Sequence, residues 1–179
     1  MNLWHDVSRG DNVPAEINMI VEIPKNSNNK YEIDKETGLI ALDRANYSAA
    51  AYPFDYGFAP QTLWDDGDAL DIILLTTYPL HPGILVNVRL VGMMEMIDGG
   101  DNDAKIIAVP INDKRWEDVQ DIADVNKHTL KEIAHFFGTY KELKKGEKDT
   151  VQIGNFLDAA AARAAAERSV ELYNAKFAK

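Results

Sequence analysis

The sequence predicts an α+β fold in which a small closed β-barrel is followed by helices. Two observations predict it. Short apolar or alternating runs separated by turn residues fill the first two thirds of the chain, the pattern of a barrel built from short strands. The last third carries two stretches with apolar residues near helical spacing. No repeat or long linker divides the 179 residues, so one domain over 1–179 is expected.

The elements follow in order. Ile17–Pro24 is an apolar strand ended by Pro24. In Lys30–Asp34, Lys30, Glu32 and Asp34 alternate with Tyr31 and Ile33, the period of a half-buried strand. Glu36-Thr37-Gly38 is a turn, and Leu39–Arg44 returns as a hairpin. Asp71–Thr76 is a short buried strand. Ile84–Ile97 is a long one, with Gly92 marking a bulge or bend. Residues 98–103 are a polar turn, and Lys105–Val109 pairs back. Asn126–Lys144 is a helix whose stripe is Leu130, Ile133, Ala134, Phe137 and Leu143, with Gly146 as its stop. Alanine-rich Asn155–Lys179 is a second helix, with Asn155 as N-cap, Asp158 in the first turn, and Phe156, Ala160, Val170, Tyr173 and Phe177 as its buried stripe.

A net charge of −10 argues against a protein that grips a phosphate backbone, so no nucleic-acid partner is expected. The absence of cysteine removes disulfides, thiolate metal sites and thiol nucleophiles, and fits a cytoplasmic protein. The N-terminal residues lack the basic and apolar regions of a secretory signal. No run approaches the roughly 18 apolar residues of a membrane span, so no membrane partner is expected.

The chemistry concentrates in Trp64-Asp65-Asp66-Gly67-Asp68-Ala69-Leu70-Asp71, which puts four carboxylates into seven residues and then enters an apolar strand. Acidic clusters are usually solvated turns. This one sits at the edge of a core, where crowded like charges repel and call for cations. Hard oxygen ligands suit Mg²⁺, Mn²⁺ or Ca²⁺. Around it lie polar residues with two readings each. Glu22, inside Met19–Ile23, faces outward from its strand or into a site. Lys30 with Glu32 is a surface ion pair or a ligand set, and Arg44 is solvent-exposed or functional. Tyr52 and Tyr56 are core phenols or phosphate donors, and Lys141 complements a helix end or binds an anion. The inventory of carboxylates, cations and phenols suits metal-assisted phosphoryl transfer.

No phosphate-binding P-loop, dinucleotide fingerprint or nucleophile elbow occurs. EF-hand spacing fails from both Asp66 and Asp98, because the required Gly and Glu positions are not met. The four histidines are scattered without ligand spacing and are read as structural or surface residues.

With those residues in view, the chain resembles the soluble family I inorganic pyrophosphatases in their short, prokaryotic-type form. The likeness runs from Leu3-Trp4-His5 through Glu22-Ile23-Pro24, Asn29–Asp34, Leu42-Asp43-Arg44 and Tyr52–Phe58. It continues through Asp66–Asp71, Asp98, Asp103-Ala104-Lys105, Ala134–Phe137 and Tyr140-Lys141. The resemblance implies a five-stranded OB-like barrel with flanking helices, one of them C-terminal. It implies hydrolysis of inorganic diphosphate with several Mg²⁺ ions per site, Mn²⁺, Zn²⁺ or Co²⁺ being substitutes.

By that resemblance Asp66, Asp71 and Asp103 ligate the principal metals, Asp98 joins Asp103 for metal arriving with substrate, and Glu22 and Glu32 support them largely through water. Asp68 is the general base, with Tyr56 and Lys105 beside it in the catalytic set. Lys30, Arg44, Tyr56, Tyr140 and Lys141 bind phosphate oxygens, and Tyr52 and Lys105 tune the site from its edge. The resemblance also implies a homohexamer, with the helix carrying His135 at an interface. One departure stands out: the family usually reads Asp-Gly-Asp-Pro-x-Asp, and Ala69 holds the proline position. A freer loop is expected, by roughly 0.4–1 kcal/mol. Asp55 and Ala51 are also unusual beside the tyrosines. Two other classes fit these residues less well, a non-catalytic binding module and a Ca²⁺-stabilised structural protein. The first gives no reason to keep repelling carboxylates, and the second leaves the cations and tyrosines idle.

Overall fold

In the computed structural model, which describes residues 1–144 and 151–177, strands dominate and two helices pack onto them. The strands are β1 (Glu16–Ile23), β2 (Asn29–Ile33), β3 (Ile40–Ala45), β4 (Asp55–Phe58), β5 (Asp71–Leu74), β6 (Leu85–Asp98), β7 (Asp101–Asn102), β8 (Lys105–Pro110) and β9 (Gln152–Leu157). The helices are α1 (Lys127–Thr139) and α2 (Ala159–Phe177), with two short 3₁₀ turns, Lys114–Trp116 and Ile122–Asp124, before α1.

Five strands close a ring. β1 pairs antiparallel with β4, and β4 with β5. β5 runs parallel to β8, β8 is antiparallel to β6, and β6 pairs back with β1. β6 is long enough to serve β1 with its first half and β7, β8 and β9 further along. Its register shifts between Leu90 and Gly92, the bulge expected at that glycine. A Cβ at Gly92 would stand 2.7 Å from the Leu157 carbonyl oxygen, so β9 lies against bare backbone there. β2 and β3 form a separate hairpin, with Lys30 opposite Arg44.

Alternation along the strands sorts their side chains into two apolar layers. Ile17, Met19 and Val21, Ile72 and Leu74, and Ile106 and Ala108 pack with Ala162, Ala165 and Ala166 of α2. Ile73, Ile107 and Val109 pack with Tyr52, Phe54, Tyr56 and the α1 residues Ile133, Phe136 and Phe137. Asp71 shares its strand face with Ile73, and Lys105 shares its face with Ile107. The polar heads of the site therefore stand at the rim of the α1-side layer. The alanines of α2 do the opposite job: small side chains let the helix sit close to the sheet.

Four expectations are corrected. β4 bears no strand signal in the sequence, because all four of its residues are buried and no alternation marks it. The polar turn at 98–103 contains β7. Helix α1 ends at Thr139, so Leu143 is 65% exposed beyond it, and the buried stripe includes Phe136 rather than Leu143. The expected stop at Gly146 lies outside the described residues, as does the expected end of the last helix at Lys179.

The fourth correction is Asn155, which lies inside β9 and does not cap α2. Its N–H donates to Glu95 Oε2 at 3.1 Å. Asp158 takes the capping role, accepting from the Ala161 N–H at 2.9 Å. Consequently Phe156 belongs to the strand, Ala160 is exposed, and the buried α2 stripe is Ala159, Ala162, Ala165, Ala166, Ser169 and Tyr173. His5 is structural, as expected: its ring stacks on Trp4, and Nδ1 is 2.7 Å from the Tyr173 hydroxyl.

Candidate active site

Carboxylates from four segments meet around one cavity. Glu22 comes from β1, Glu32 from β2, Asp66, Asp68 and Asp71 from the loop into β5, and Asp98 and Asp103 from the turn between β6 and β8. Lys30, Tyr52, Tyr56, Lys105, Tyr140 and Lys141 line the same space. The parallel pairing of β5 with β8 brings Asp71 beside Asp103, and the β6–β7 turn puts Asp98 on the same cavity.

Glu22 is the most buried of these acids, at 6% exposure. It lies where the β1 register shifts between Val21 and Ile23, a bulge that turns its side chain toward the site. It accepts the Ile33 N–H at 2.7 Å. Burial, reinforced by the charge of Asp71, pushes its pKa up to about 8. The outward-facing reading of Glu22 is thereby excluded. Burial also raises Asp66, with Asp71 and Asp68 adding repulsion against the hydrogen bond from the Asp68 N–H. Asp103 is raised by burial and by Asp71 despite its ammonium neighbour.

That neighbour is Lys105, 3% exposed, whose Nζ lies 2.5 Å from both Asp71 Oδ2 and Asp103 Oδ1. Burial alone would lower its pKa, but the two carboxylates outweigh burial and hold the ammonium well above its ordinary value. Its charge also stands 5.7 Å from the centre of the Tyr56 ring. Burial lifts the phenols of Tyr52, Tyr56 and Tyr140 above the usual range, so each is a neutral hydrogen-bond donor at ordinary pH.

The cations divide between the two ends of the cavity. Lys141 Nζ reaches Asp98 Oδ2 at 2.5 Å, and the Tyr140 hydroxyl is 3.5 Å from the same oxygen. Helix α1 delivers both, since Ile133, Phe136, Phe137 and Tyr140 follow helical spacing on its buried face. At the other end Lys30 pairs with Glu32 and, at 3.3 Å, with Asp43. Burial lowers the Lys30 pKa, and the charge of Arg44 across the hairpin lowers it further.

Arg44 stands opposite Lys30 on the hairpin, paired with Asp43 at 2.5 Å and lying over Tyr47, and its charge acts on Lys30 and on the phenols of Tyr52 and Tyr140. Its Nε is buried without a hydrogen-bond partner. Lys35 lines the cavity and pairs with Asp68, yet no motif marks it. Asp55 is wholly buried and takes N–H donors from Lys25 and Leu80, both at 3.0 Å, and the Thr76 hydroxyl. It ties two loops to β4 away from the cavity.

The donor set is oxygen only, and Glu22, Asp66 and Asp103 are raised by drying and by repulsion from neighbouring carboxylates, which suits a hard divalent cation. Among the described residues, no three acidic or imidazole groups converge closely enough to hold an ion unaided. A cation that keeps several waters and shares itself between one or two carboxylates and a phosphate fits such a layout.

The family model described as inorganic pyrophosphatase matches residues 19–174. An inorganic pyrophosphatase of Haloferax volcanii is 42% identical over 178 residues, covering 99% of each chain. One of Leifsonia xyli is 50% identical over 134 residues, 75% of this chain and 82% of its own. Among solved structures, the inorganic pyrophosphatase of Thermus thermophilus superposes with a TM-score of 0.94 at 42% identity, over 97% of this chain and 99% of the other. With residues 19–174 matched and relatives of this identity along its whole length, the chain belongs to the inorganic pyrophosphatase family.

Proposed function

We propose that this chain is a single-domain, Mg²⁺-dependent inorganic diphosphatase, and that its closed strand ring is the OB-like barrel of the family. The observation that carries the reading is the meeting of seven acids from four segments with Lys30, Tyr56, Tyr140 and Lys141 around one cavity. That mixture suits a polyanion held together with cations.

Asp66, Asp71 and Asp103 would hold Mg²⁺, with Asp98 beside Asp103 for metal entering with substrate, and Glu22 and Glu32 acting through water. When bound, Mg²⁺ supplies charge against the phosphate oxygens and lowers the pKa of the attacking water. Lys30 and the neutral phenols of Tyr56 and Tyr140 donate to phosphate oxygens, and Lys141 gives up Asp98 to do so. Arg44, opposite Lys30 on the hairpin, joins it in binding phosphate oxygens.

Asp68 is half exposed at the cavity mouth and takes the proton of the attacking water. The water oxygen bonds to one phosphorus as the bridging oxygen leaves with the second phosphate. Lys105 keeps Asp71 and Asp103 from repelling each other between turnovers. We place the protein in the cytoplasm as a homohexamer. No helix among the described residues is long and apolar enough to cross a membrane. Phosphate release from diphosphate with and without Mg²⁺ tests the reading. Rapid release only with metal is expected, and no release from folded protein with any divalent ion would sink it.

A further inference from the structure

Asp65, Arg168 and Asn102 form a cluster beside the cavity that none of them lines. Arg168, on α2, meets Asp65 with both terminal nitrogens, Nη2 to Oδ1 at 2.5 Å and Nη1 to Oδ2 at 3.2 Å. The same guanidinium lies over the Trp64 ring, 4.8 Å from its centre. Asn102 of β7 donates to Asp65 Oδ2 at 2.9 Å.

These contacts join the two segments that carry the acids. Asp65 precedes Asp66 in a loop closed by Trp64 N–H to Asp68 O at 2.7 Å and by Gly67 N–H to Trp64 O at 3.1 Å. The loop's entry is tied to the same helix by Leu63 N–H to Ser169 O at 3.0 Å. Asn102 precedes Asp103, and β7 pairs with Ile97 and Asp98 at the end of β6. We infer that Asp65 and Arg168 are positioning residues: with Asn102 they brace the Asp66–Asp71 loop against the Asp98–Asp103 hairpin and so set the affinity of the site for divalent metal. The inference rests on the metal-dependent reading above.

A surface ion pair of this exposure, 46% for Arg168 and 31% for Asp65, adds little to global stability. Its effect is on where the loop stands. The bidentate fork and the stacking on Trp64 give that contact a defined direction, which lysine would not reproduce.

The test uses the full chain with Asp65→Asn, Arg168→Gln, Arg168→Lys and the Asp65→Asn/Arg168→Gln pair. Calorimetric titration with Mg²⁺ alone, without substrate, should show roughly a three- to tenfold weakening for either single variant, at or below the low end for loss of an outer partner of a ligand. Hydrogen exchange of residues 64–70 in metal-free protein should speed up at a nearly unchanged melting temperature. The double variant should be no worse than the worse single, because both remove one contact. Arg168→Lys should fall between wild type and Arg168→Gln. Wild-type metal binding and exchange in the single variants, additive losses, or losses that only follow a fall in melting temperature would overturn the inference. A wild type that hydrolyses diphosphate while its variants bind Mg²⁺ normally would sink the brace and leave the function standing. A wild type without hydrolysis would sink the function, and metal-free exchange would still decide the brace.

Discussion

At the scale of single residues, Lys105 carries the largest electrostatic burden. Its ammonium is dried out between Asp71 and Asp103. Lys105→Met leaves the two carboxylates to face each other, and removing one partner of a buried ion group costs about 3 kcal/mol when the rest keeps some contact with water. Urea denaturation of metal-free protein should read that loss, and Mg²⁺ should recover part of it. A loss under about 1 kcal/mol would contradict the bridging role. Asp121 makes a pH-dependent contribution. Hydrogen bonds from the Ala159 and Ala123 N–H groups hold its carboxyl below the usual range. Its folded pKa lies under the unfolded value of about 4, so the stabilisation is complete above that value and disappears as pH falls through the folded pKa. Asp121→Asn should therefore lower the melting temperature at neutral pH, with the difference closing in acid.

Residues also mark the limits of the sequence reading. The acids at 66, 68 and 71 are conspicuous because clustered carboxylates at a strand edge are chemically costly, whereas Asp98 and Asp103 read as a polar turn and enter only through the family resemblance. Lys35 is not conspicuous, since a lysine after Asp34 reads as a solvated hairpin turn until the fold brings Asp68 to it.

At the scale of elements, β1, β2, β3, β5, β6 and β8 were legible within a residue or two, since alternation or an apolar run between turn residues announces each. β4 and β9 were not. β4 is packed on both faces and so has no alternation. β9 borders an alanine-rich run whose helix propensity extends across it until pairing with β6 intervenes. The β5–β8 pairing that assembles the site is parallel, and nothing local encodes it. Gly57 exposes how closely β4 and β1 are pressed: a Cβ there would stand 1.9 Å from the Ile20 carbonyl oxygen, which is backbone and cannot turn aside. Gly57→Ala should destabilise the fold by more than about 3 kcal/mol, the range of severe core strain, and should reduce soluble yield. A near-wild-type denaturation midpoint would show that β1 can yield there.

At the scale of the whole molecule, a chain of net charge −10 brings seven of its acids to one cavity. The scaffold separates tasks: α2 seals one apolar layer with small residues, while α1 seals the other and presents Tyr140 and Lys141 to the cavity. The exposed outer face of α1, which carries His135, is left for other copies in the proposed hexamer. Light scattering at micromolar concentration should give about six times the 20.0 kDa chain mass, and a monomer would contradict that assembly.

In the proposed reaction the gathered acids perform metal-assisted hydrolysis with Asp68 as base. Phosphate release from diphosphate at saturating Mg²⁺, for wild type and Asp68→Asn side by side, tests it most directly. The expected result is rapid release by wild type and a rate lower by about 10²–10⁴ in the variant, the usual contribution of a positioned base, with both proteins equally folded. Equal rates would remove Asp68 from the chemistry and contradict the account.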